Sequence, residues 1–357
     1  MTVFIVYIFL VCFPAFICAY GGNISRINYR KSRALTLLIP IIYLTLIMGL
    51  KNSSVGTDTV RYVDKFLSYR YQNLKSLFSD GYVYGFYIFN KVMSYIAPTN
   101  YTVYLSTIAV FVGISIYRFL LNNSDDYCMS QIMLLSLGFM FFFMTGIKQT
   151  IAMSILMYAY TAQKERKYLK FLLLTALAAT FHTTALIFVF ILPFKIVKFR
   201  KSMIVVAPAM IALAYVFQKR IFEFFSSILL DDMYDAYGTS YISSVNITGL
   251  LIQIVIFAVS IILLWKSLKW DDEASHLISI YAIGMAFQAM TGAMGEFFRI
   301  SMYFSIIGVI LLPKALGRLN RRYRALVSFG ICIVFIAYFV LFSSRGSGVL
   351  PYKFFWE

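Results

Sequence analysis

The chain has 357 residues, of which 61% are hydrophobic, 18% aromatic and only 13% charged. Soluble globular domains have about 25% charged residues, so the composition excludes a soluble enzyme and indicates an all-α polytopic membrane protein. The net charge of +17 does not indicate nucleic-acid binding, because most basic residues lie in short loops between apolar segments, where they orient the spans and contact anionic lipid.

Apolar segments long enough to cross a bilayer recur along the whole sequence. A span needs about 17 to 25 mostly apolar residues, which predicts about 10 to 12 transmembrane segments in a single integral membrane domain, residues 1–357. The predicted segments are 3–20, 34–50, 82–97, 101–121, 130–146, 149–162, 168–194, 202–217, 248–265, 275–293, 298–313 and 325–343. The first is followed by basic residues rather than preceded by them, so it is predicted to be an uncleaved span.

The basic loops predict the orientation of the chain. The positive-inside rule places the loops richest in Lys and Arg in the cytoplasm; these are 21–33, 163–170, 195–201, 265–273 and 314–324. The N-terminus is then outside, together with the segments 51–81, 122–128, 218–247 and 293–297. The acidic residues of these segments agree with an outer position; they are Asp125, Asp126, Asp231, Asp232 and Asp235. Segments 51–81 and 218–247 form the two long outer loops.

Two apolar stretches are not predicted to be plain spans. Residues 168–194 lie between two equally basic loops and carry a polar cluster at His182 to Thr184, which favours a re-entrant hairpin with His182 at its apex. Residues 130–162 are too long for one straight span at about 1.5 Å per residue, and GIKQT at 146–150 interrupts them. This favours a broken helix with its break near mid-membrane; a plain hairpin with Lys148 at the cytoplasmic surface is the alternative.

No sequence pattern indicates a metal or a cofactor. The cysteines lie in or beside apolar runs without CxxC spacing, and P-loop, GxGxxG and GxSxG elements are missing. We therefore expect neither a metal site nor nucleotide-driven chemistry.

The polar segment VGTDTVRYVDKF, residues 55–66, is the first candidate site. Gly56 permits an unusual backbone angle, Asp58 supplies a carboxylate, and Arg61 and Tyr62 follow at helical spacing on the same side. An ordinary N-cap at the start of a solvated helix is the simpler interpretation.

Charged residues inside or beside the apolar segments are the other candidates. Arg299 begins a late segment, three residues after Glu296 and four before Tyr303. Its guanidinium either pairs with Glu296, reaches the outer surface, or holds a phosphate or pyrophosphate with its planar fork. Lys148 and Gln149 interrupt an apolar stretch, where snorkelling at a turn is the alternative to substrate binding.

Three separated motifs, in this order, resemble those of the EpsG-type family of Wzy-like polysaccharide polymerases. The first is the GTD segment at 56–58, with GFYIFNKV at 85–92 after it. The second is GIKQTIAMSILMYA at 146–159 followed by ATFHTTALI at 179–187, and the third is EFFRISMYF at 296–304. The resemblance implies a GT-C-like membrane glycosyltransferase architecture in the bacterial cytoplasmic (inner) membrane, with an active site facing the exterior.

The resemblance also implies the reaction and its partners. A growing glycan is transferred from undecaprenyl pyrophosphate to the non-reducing end of a lipid-linked oligosaccharide repeat unit. The expected partners are this donor, this acceptor and the bilayer, with a chain-length regulator allowed and no nucleic acid. A lipid-linked oligosaccharide flippase and a membrane sugar O-acyltransferase, with His182 as its base, are the alternatives.

The roles of single residues follow from this chemistry. The candidate catalytic residues are Asp58, Glu296 and His182. The residues predicted to bind pyrophosphate or sugar are Lys51, Arg61, Tyr62, Lys148, Gln149, Arg299 and Tyr303. Lys51 and Lys148 stand where the family often has arginine, so they keep the charge but lose the bidentate fork. The GTD and EFFR stretches are expected to meet in one water-filled pocket.

Overall fold

The computed structural model describes residues 1–20, 26–72, 83–195, 203–229, 247–268, 271–292 and 295–357. Over these residues the secondary structure is helical, apart from an isolated antiparallel bridge between Lys51 and Phe354. The predicted all-α membrane architecture is confirmed. Asp231, Asp232, Asp235 and parts of the loops predicted at 21–33, 51–81, 195–201 and 218–247 lie outside the described residues.

Most helices follow the predicted apolar segments, but the helix Thr59–Tyr69 lies in the predicted loop 51–81, and the helix Met203–Leu229 extends into the predicted loop 218–247. In chain order they are α1 (Thr2–Tyr20), α2 (Arg26–Gly49), α3 (Thr59–Tyr69), α4 (Tyr84–Ile96), α5 (Tyr101–Asn123), α6 (Tyr127–Ser136), α7 (Phe139–Thr145), α8 (Ile147–Lys164), α9 (Tyr168–Phe181), a 3₁₀ helix (Thr183–Lys195), α10 (Met203–Leu229), α11 (Ile247–Leu264), α12 (Asp272–Ala289), α13 (Glu296–Ser305), α14 (Gly308–Leu316), α15 (Arg321–Tyr338) and a π-helical turn (Phe339–Ser343).

Several of these helices are long and apolar enough to cross a membrane. Among the described residues, three helices meet this condition alone, at Tyr101–Asn123, Ile247–Leu264 and Tyr323–Ser343. Two pairs of helices, α6–α7 and α13–α14, are bent by 55° and 40°. If each bent pair forms one span, the number of candidate spans among the described residues is five. The predicted total number of crossings stays a prediction.

Contacts divide the chain into two compact units. The first comprises Met1–Val189 with Ala325–Glu357, and the second comprises Phe190–Arg324.

In the first unit, hydrogen bonds identify which helix ends lie together. The Ser106 hydroxyl at the start of α5 donates to the Gly49 carbonyl at the end of α2, at 3.3 Å. At the other end of α5, Lys164 Nζ donates to Asn123 Oδ1 at 3.0 Å. Helix α5 has 23 residues, which at about 1.5 Å each is roughly the thickness of a bilayer. We call these two regions the Lys51 end and the Lys164 end of the first unit.

The predicted position of residues 122–128 is wrong. They were expected on the opposite face from 163–170, yet Asn123 is hydrogen-bonded to Lys164. The cause is α4, which has only 13 residues and at about 1.5 Å per residue is too short to cross. Because α5 begins beside the end of α2, where Ser106 bonds to Gly49, and ends beside Lys164, it runs opposite to the direction predicted for segment 101–121.

The broken helix between 130 and 162 is present, but its geometry differs from the prediction. Gly138, with φ +82°, separates α6 from α7 at the 55° bend. The GIKQT motif is not at mid-membrane. It forms the tip of a helical hairpin, because α6 starts four residues after Asn123 and α8 returns to Lys164 beside it. Lys148 therefore lies at the Lys51 end.

The hairpin predicted for residues 168–194 is also present. His182 is extended, with φ −152° and ψ 111°, between α9 and the 3₁₀ helix. The rings of Phe171 and Phe188 lie on either side of this point and approach to 6.3 Å between centroids. Such an approach requires the chain to fold back at His182. Re-entry into a bilayer stays a prediction.

In the second unit, α12 packs closely on α13. The Ser301 hydroxyl donates to the Gly284 carbonyl at 2.7 Å, and a Cβ atom at Gly284 would lie 2.9 Å from the Ser305 nitrogen. Lys314 near the end of α14 pairs with Glu273 at 2.9 Å. The glycine and the ion pair together hold α13 and α14 against α12.

Candidate functional site

Helix α3 lies at the Lys51 end with one face inward. Its buried residues Thr59, Val63, Phe66 and Tyr69 recur every three or four positions, which places them on one side of the helix. Phe66 stacks on Tyr104 of α5 with 4.3 Å between ring centroids. The solvent-facing residues of α3 include Arg61, Asp64 and Lys65. Packing of the apolar face thus determines where these charges point.

Lys51 lies beneath the loop that leads into α3. Its Nζ donates to the Val55 carbonyl at 3.1 Å, to Thr59 Oγ1 at 2.7 Å and to the Met144 carbonyl. Burial lowers the pKa of Lys51 to about 7, while three oxygen acceptors match the three N–H bonds of its ammonium form. Because Lys51 is 2% exposed and its donors are used, the geometry argues against a phosphate contact and for a positioning role.

Gly56 has the unusual backbone angle that the sequence predicts, with φ +96°. A Cβ atom here would lie 2.8 Å from Thr59 Oγ1 and 2.9 Å from the Met144 carbonyl. Both the conformation and the space therefore require glycine. This contact brings the GTD loop against the tip of the α7–α8 hairpin.

Asp58 occupies the N-cap position of α3, but its side chain makes no capping hydrogen bond. The GTD segment therefore starts α3 at the position that the N-cap interpretation predicts, but without a side-chain capping bond from Asp58. Asp58 is half-buried and Arg61, one turn later, is exposed. Tyr62 packs edge-on against Phe86 of α4 with 5.8 Å between centroids.

Lys148 lies against the same aromatic residues. Its Nζ is 5.0 Å from the ring centroid of Phe86 and 5.6 Å from that of Tyr87, a cation–π arrangement. Lys148 is half-buried, whereas its neighbour Gln149 is 2% exposed. Lys148 thus lies beside α3 and α4 at the Lys51 end of the first unit.

The His182 apex lies near this cluster. A Cβ atom at Gly85, the residue before Phe86, would fall 2.1 Å from Thr180 Oγ1 and 3.1 Å from the ring of Phe181. The end of α9 therefore contacts the start of α4. His182 is half-buried, and its Nδ1 is 2.7 Å from Thr184 Oγ1.

Sequence reasoning missed the role of Lys91. Its Nζ donates to three carbonyl oxygens at the end of α3, those of Tyr69, Arg70 and Gln72, at 2.9, 3.0 and 2.9 Å. A cation at this position completes the last turn of a helix. Lys51 and Lys91 thus hold α3 at its two ends. Hydrogen bonds to main-chain carbonyls leave no sequence signature, so no sequence pattern indicated this role.

The C-terminal residues were also missed. Gly56 N donates to the Gly348 carbonyl at 2.8 Å, and Thr57 N donates to the Ser347 carbonyl at 3.2 Å. Phe355 lies beside the first turns of α5, where an open groove of about 640 Å³ is lined by Asn100, Thr102, Val103, Ser106, Thr107, Val110 and Phe355.

In the second unit, Arg299 and Glu296 form the ion pair that the sequence offered as an alternative. Arg299 Nε lies 3.4 Å from Glu296 Oε2, and the side chains are 39% and 41% exposed. Both groups are therefore accessible to a ligand. Tyr303 is 1% exposed, which favours a packing role over sugar contact. Because Asp58 and Arg299 belong to different units, their meeting in one pocket stays a prediction.

The comparison with protein families decides where this chain belongs. A family model described as the EpsG family matches residues 34–354. The chain belongs to the EpsG family. The match contains all the motifs described above and confirms the resemblance predicted from them. No curated protein and no solved structure matches the chain.

The positioning role of Lys51 in this EpsG-family protein predicts a loss of stability in Lys51→Met. The change removes the donor from buried carbonyl oxygens, which costs about 1–3 kcal/mol for an unsatisfied buried polar group. Lys65→Met is the matched control, since Lys65 is exposed on α3. Thermal unfolding of the purified proteins in detergent measures the difference. Equal melting temperatures for the two variants would contradict the assignment.

Proposed function

We propose that this protein is a polysaccharide polymerase that transfers a growing glycan from undecaprenyl pyrophosphate to a lipid-linked oligosaccharide repeat unit. Membership of the EpsG family supports a polysaccharide polymerase-like membrane protein; the donor, the acceptor and the side of the membrane are the proposal. The observation that carries it is the placement of Asp58, Arg61, Lys148 and His182 around α3 and α4 at one end of the first unit.

The proposed site faces the outside of the bacterial cytoplasmic membrane. The Lys164 end carries a dense group of basic residues, Lys164, Arg166, Lys167 and Lys170, which the positive-inside rule places in the cytoplasm. The Lys51 end is then exterior. Helices α5 and α8 both run from the Lys51 end to the Lys164 end. Both therefore lead from the proposed site towards the basic residues that follow Lys164, which agrees with this orientation.

The reaction needs little beyond orientation and charge stabilisation. The acceptor hydroxyl oxygen forms a bond to the anomeric carbon of the donor, while the bond from that carbon to the pyrophosphate oxygen breaks. Undecaprenyl pyrophosphate leaves with the electron pair, and the hydroxyl proton passes to a carboxylate. Because the glycosyl pyrophosphate is already activated, the protein has to align two lipid-linked sugars and stabilise the departing negative charge.

Three accessible cations are suited to hold the pyrophosphate. In the first unit these are Arg61, which is exposed, and Lys148, which is half-buried above two aromatic rings. In the second unit it is Arg299, whose guanidinium offers a planar fork. Lys51 contributes indirectly, by holding the GTD loop.

Asp58 is the proposed general base. Its carboxylate makes no capping hydrogen bond to α3. Asp58 comes two residues after Gly56, whose backbone angle shapes the loop. Glu296 instead pairs with Arg299, so we propose that it orients the guanidinium. A base within hydrogen-bond reach of the acceptor hydroxyl accelerates such transfers by about 10²- to 10⁴-fold. His182 is the second candidate, at the neighbouring apex.

A deletion strain tests the proposal against its alternatives. Loss of the polymerase leaves surface glycan as single repeat units on a gel, and the parental chain restores the ladder. A strain without any exported repeat would indicate a flippase instead. A normal ladder that lacks acyl groups would indicate an O-acyltransferase, and either of these results would overturn the proposal.

A further inference from the structure

The C-terminal residues return to the GTD loop after the last helix of the first unit. The Ser343 hydroxyl at the end of the π-helical turn bonds to the Ser136 carbonyl, and residues 344–357 then run alongside the loop at 50–57. Four main-chain hydrogen bonds of 2.8–3.2 Å join the two segments: Phe355 N to Leu50 O, Asn52 N to Lys353 O, Gly56 N to Gly348 O, and Thr57 N to Ser347 O.

These bonds reach the two residues that precede Asp58. Gly56 and Thr57 both donate to the C-terminal segment through their backbone nitrogens. Lys51 and the Met144 carbonyl contact the same loop through other atoms. The backbone leading to the Asp58 carboxylate is therefore held by Lys51 within the loop, by Met144 and by the C-terminal segment.

Packing and a side-chain hydrogen bond anchor the C-terminal segment to the rest of the first unit. Val349 is fully buried, and the Tyr352 hydroxyl donates to the Ile47 carbonyl in α2 at 2.8 Å. Phe354 packs edge-on against Tyr352 and stacks on Trp356, with 5.0 and 4.5 Å between centroids. Because the segment is anchored in this way, its hydrogen bonds can fix the position of the loop backbone.

We infer that residues 347–355 are a positioning element of the polymerase site. They hold the backbone of Gly56 and Thr57 and thereby set the direction in which Asp58 meets the acceptor. The inference rests on the proposed function of Asp58. It adds a role for a segment that is more than 280 residues away along the chain and carries no candidate catalytic group.

Two glycines provide a matched test of this role. Gly348 and Gly346 have φ +65° and +82°, so alanine imposes a similar backbone strain at each. A Cβ atom at Gly348 would lie 3.1 Å from both the nitrogen and Cγ2 of Thr57, whereas nothing lies within 4 Å of one at Gly346. Only Gly348→Ala therefore pushes on the loop.

The test measures steady-state polymerisation of purified lipid-linked repeat units in vesicles. Gly348→Ala should lower kcat on the order of tenfold, because small misplacements of a reacting group are costly, with little change in KM for the repeat unit. Gly346→Ala should keep the parental kcat, and both variants should lose similar thermal stability. Thr57→Ser removes the methyl group that the new Cβ meets, so it should restore part of kcat to Gly348→Ala.

A second variant keeps the test decisive if Gly348→Ala does not fold. Tyr352→Phe deletes one hydrogen bond of the segment without adding an atom. Because this bond holds the segment on α2, its loss should lower kcat about two- to fivefold. Parental kcat in both Gly348→Ala and Tyr352→Phe would overturn the inference. The parental chain in the same vesicles separates the failure of this inference from the failure of the proposed function. If the parental chain makes no polymer, the proposed function is wrong.

Discussion

Asp58→Asn is expected to lower the turnover of repeat-unit polymerisation by about 10²- to 10⁴-fold, the contribution of a general base. The amide keeps the size of the side chain but cannot accept the proton of the acceptor hydroxyl. The loop should stay folded, because Lys51, Gly56 and the C-terminal segment hold it through other atoms. The rate of polymer formation from purified lipid-linked units measures the effect.

Asp64→Asn is the matched control for this experiment. Asp64 lies on the exposed side of α3, so its change removes the same charge from the same helix and should leave turnover at the parental level. Parental turnover in Asp58→Asn, together with a large loss in Glu296→Gln, would exchange the roles assigned to these two carboxylates. Parental turnover in both would remove the carboxylate base from the mechanism.

Arg299→Ala is expected to lower polymerisation on the order of 10²- to 10³-fold, the cost of losing one group that stabilises developing charge. Arg299→Lys should recover only part of this loss, because an ammonium keeps the charge without the bidentate fork. Both proteins should remain in the membrane, since the half-exposed pair with Glu296 contributes at most about 1 kcal/mol. Parallel measurements of membrane protein level and polymer length check both statements.

Arg220→Ala is the control for the loss of an arginine from the second unit. Arg220 is exposed and lies 5.9 Å from the ring centroid of Phe217, with no role in the proposed site. Its replacement should leave polymer length unchanged. If Arg299→Ala polymerises as well as Arg220→Ala, Arg299 does not hold the pyrophosphate.

The helical architecture was predictable because hydrocarbon thickness imposes a length on each apolar segment. The direction of the chain was not, and α4 shows why. Segment 82–97 was predicted to be a span, but α4 has only 13 residues, which at about 1.5 Å each are too few to cross a bilayer. Only the Asn123–Lys164 hydrogen bond showed on which side the following segments lie.

Site residues were predictable where the residue type itself indicates a particular backbone conformation or a turn of the chain. Gly56 needs its backbone angle, and His182 marks the point where an apolar stretch turns. The contacts of Lys51, Lys91 and the C-terminal segment were not predictable, because they use main-chain carbonyls and nitrogens that every residue has. Long-range hydrogen bonds of this kind appear only when the fold is known.

Cysteine accessibility tests most directly whether the GTD stretch and the EFFR stretch both face the outside of the membrane. Single cysteines replace Asp58 and Glu296 in a chain whose native cysteines are alanine, and intact cells are treated with a membrane-impermeant maleimide. We expect labelling at both positions from outside. Labelling of the two positions from opposite sides, or of both from the cytoplasm alone, would contradict it.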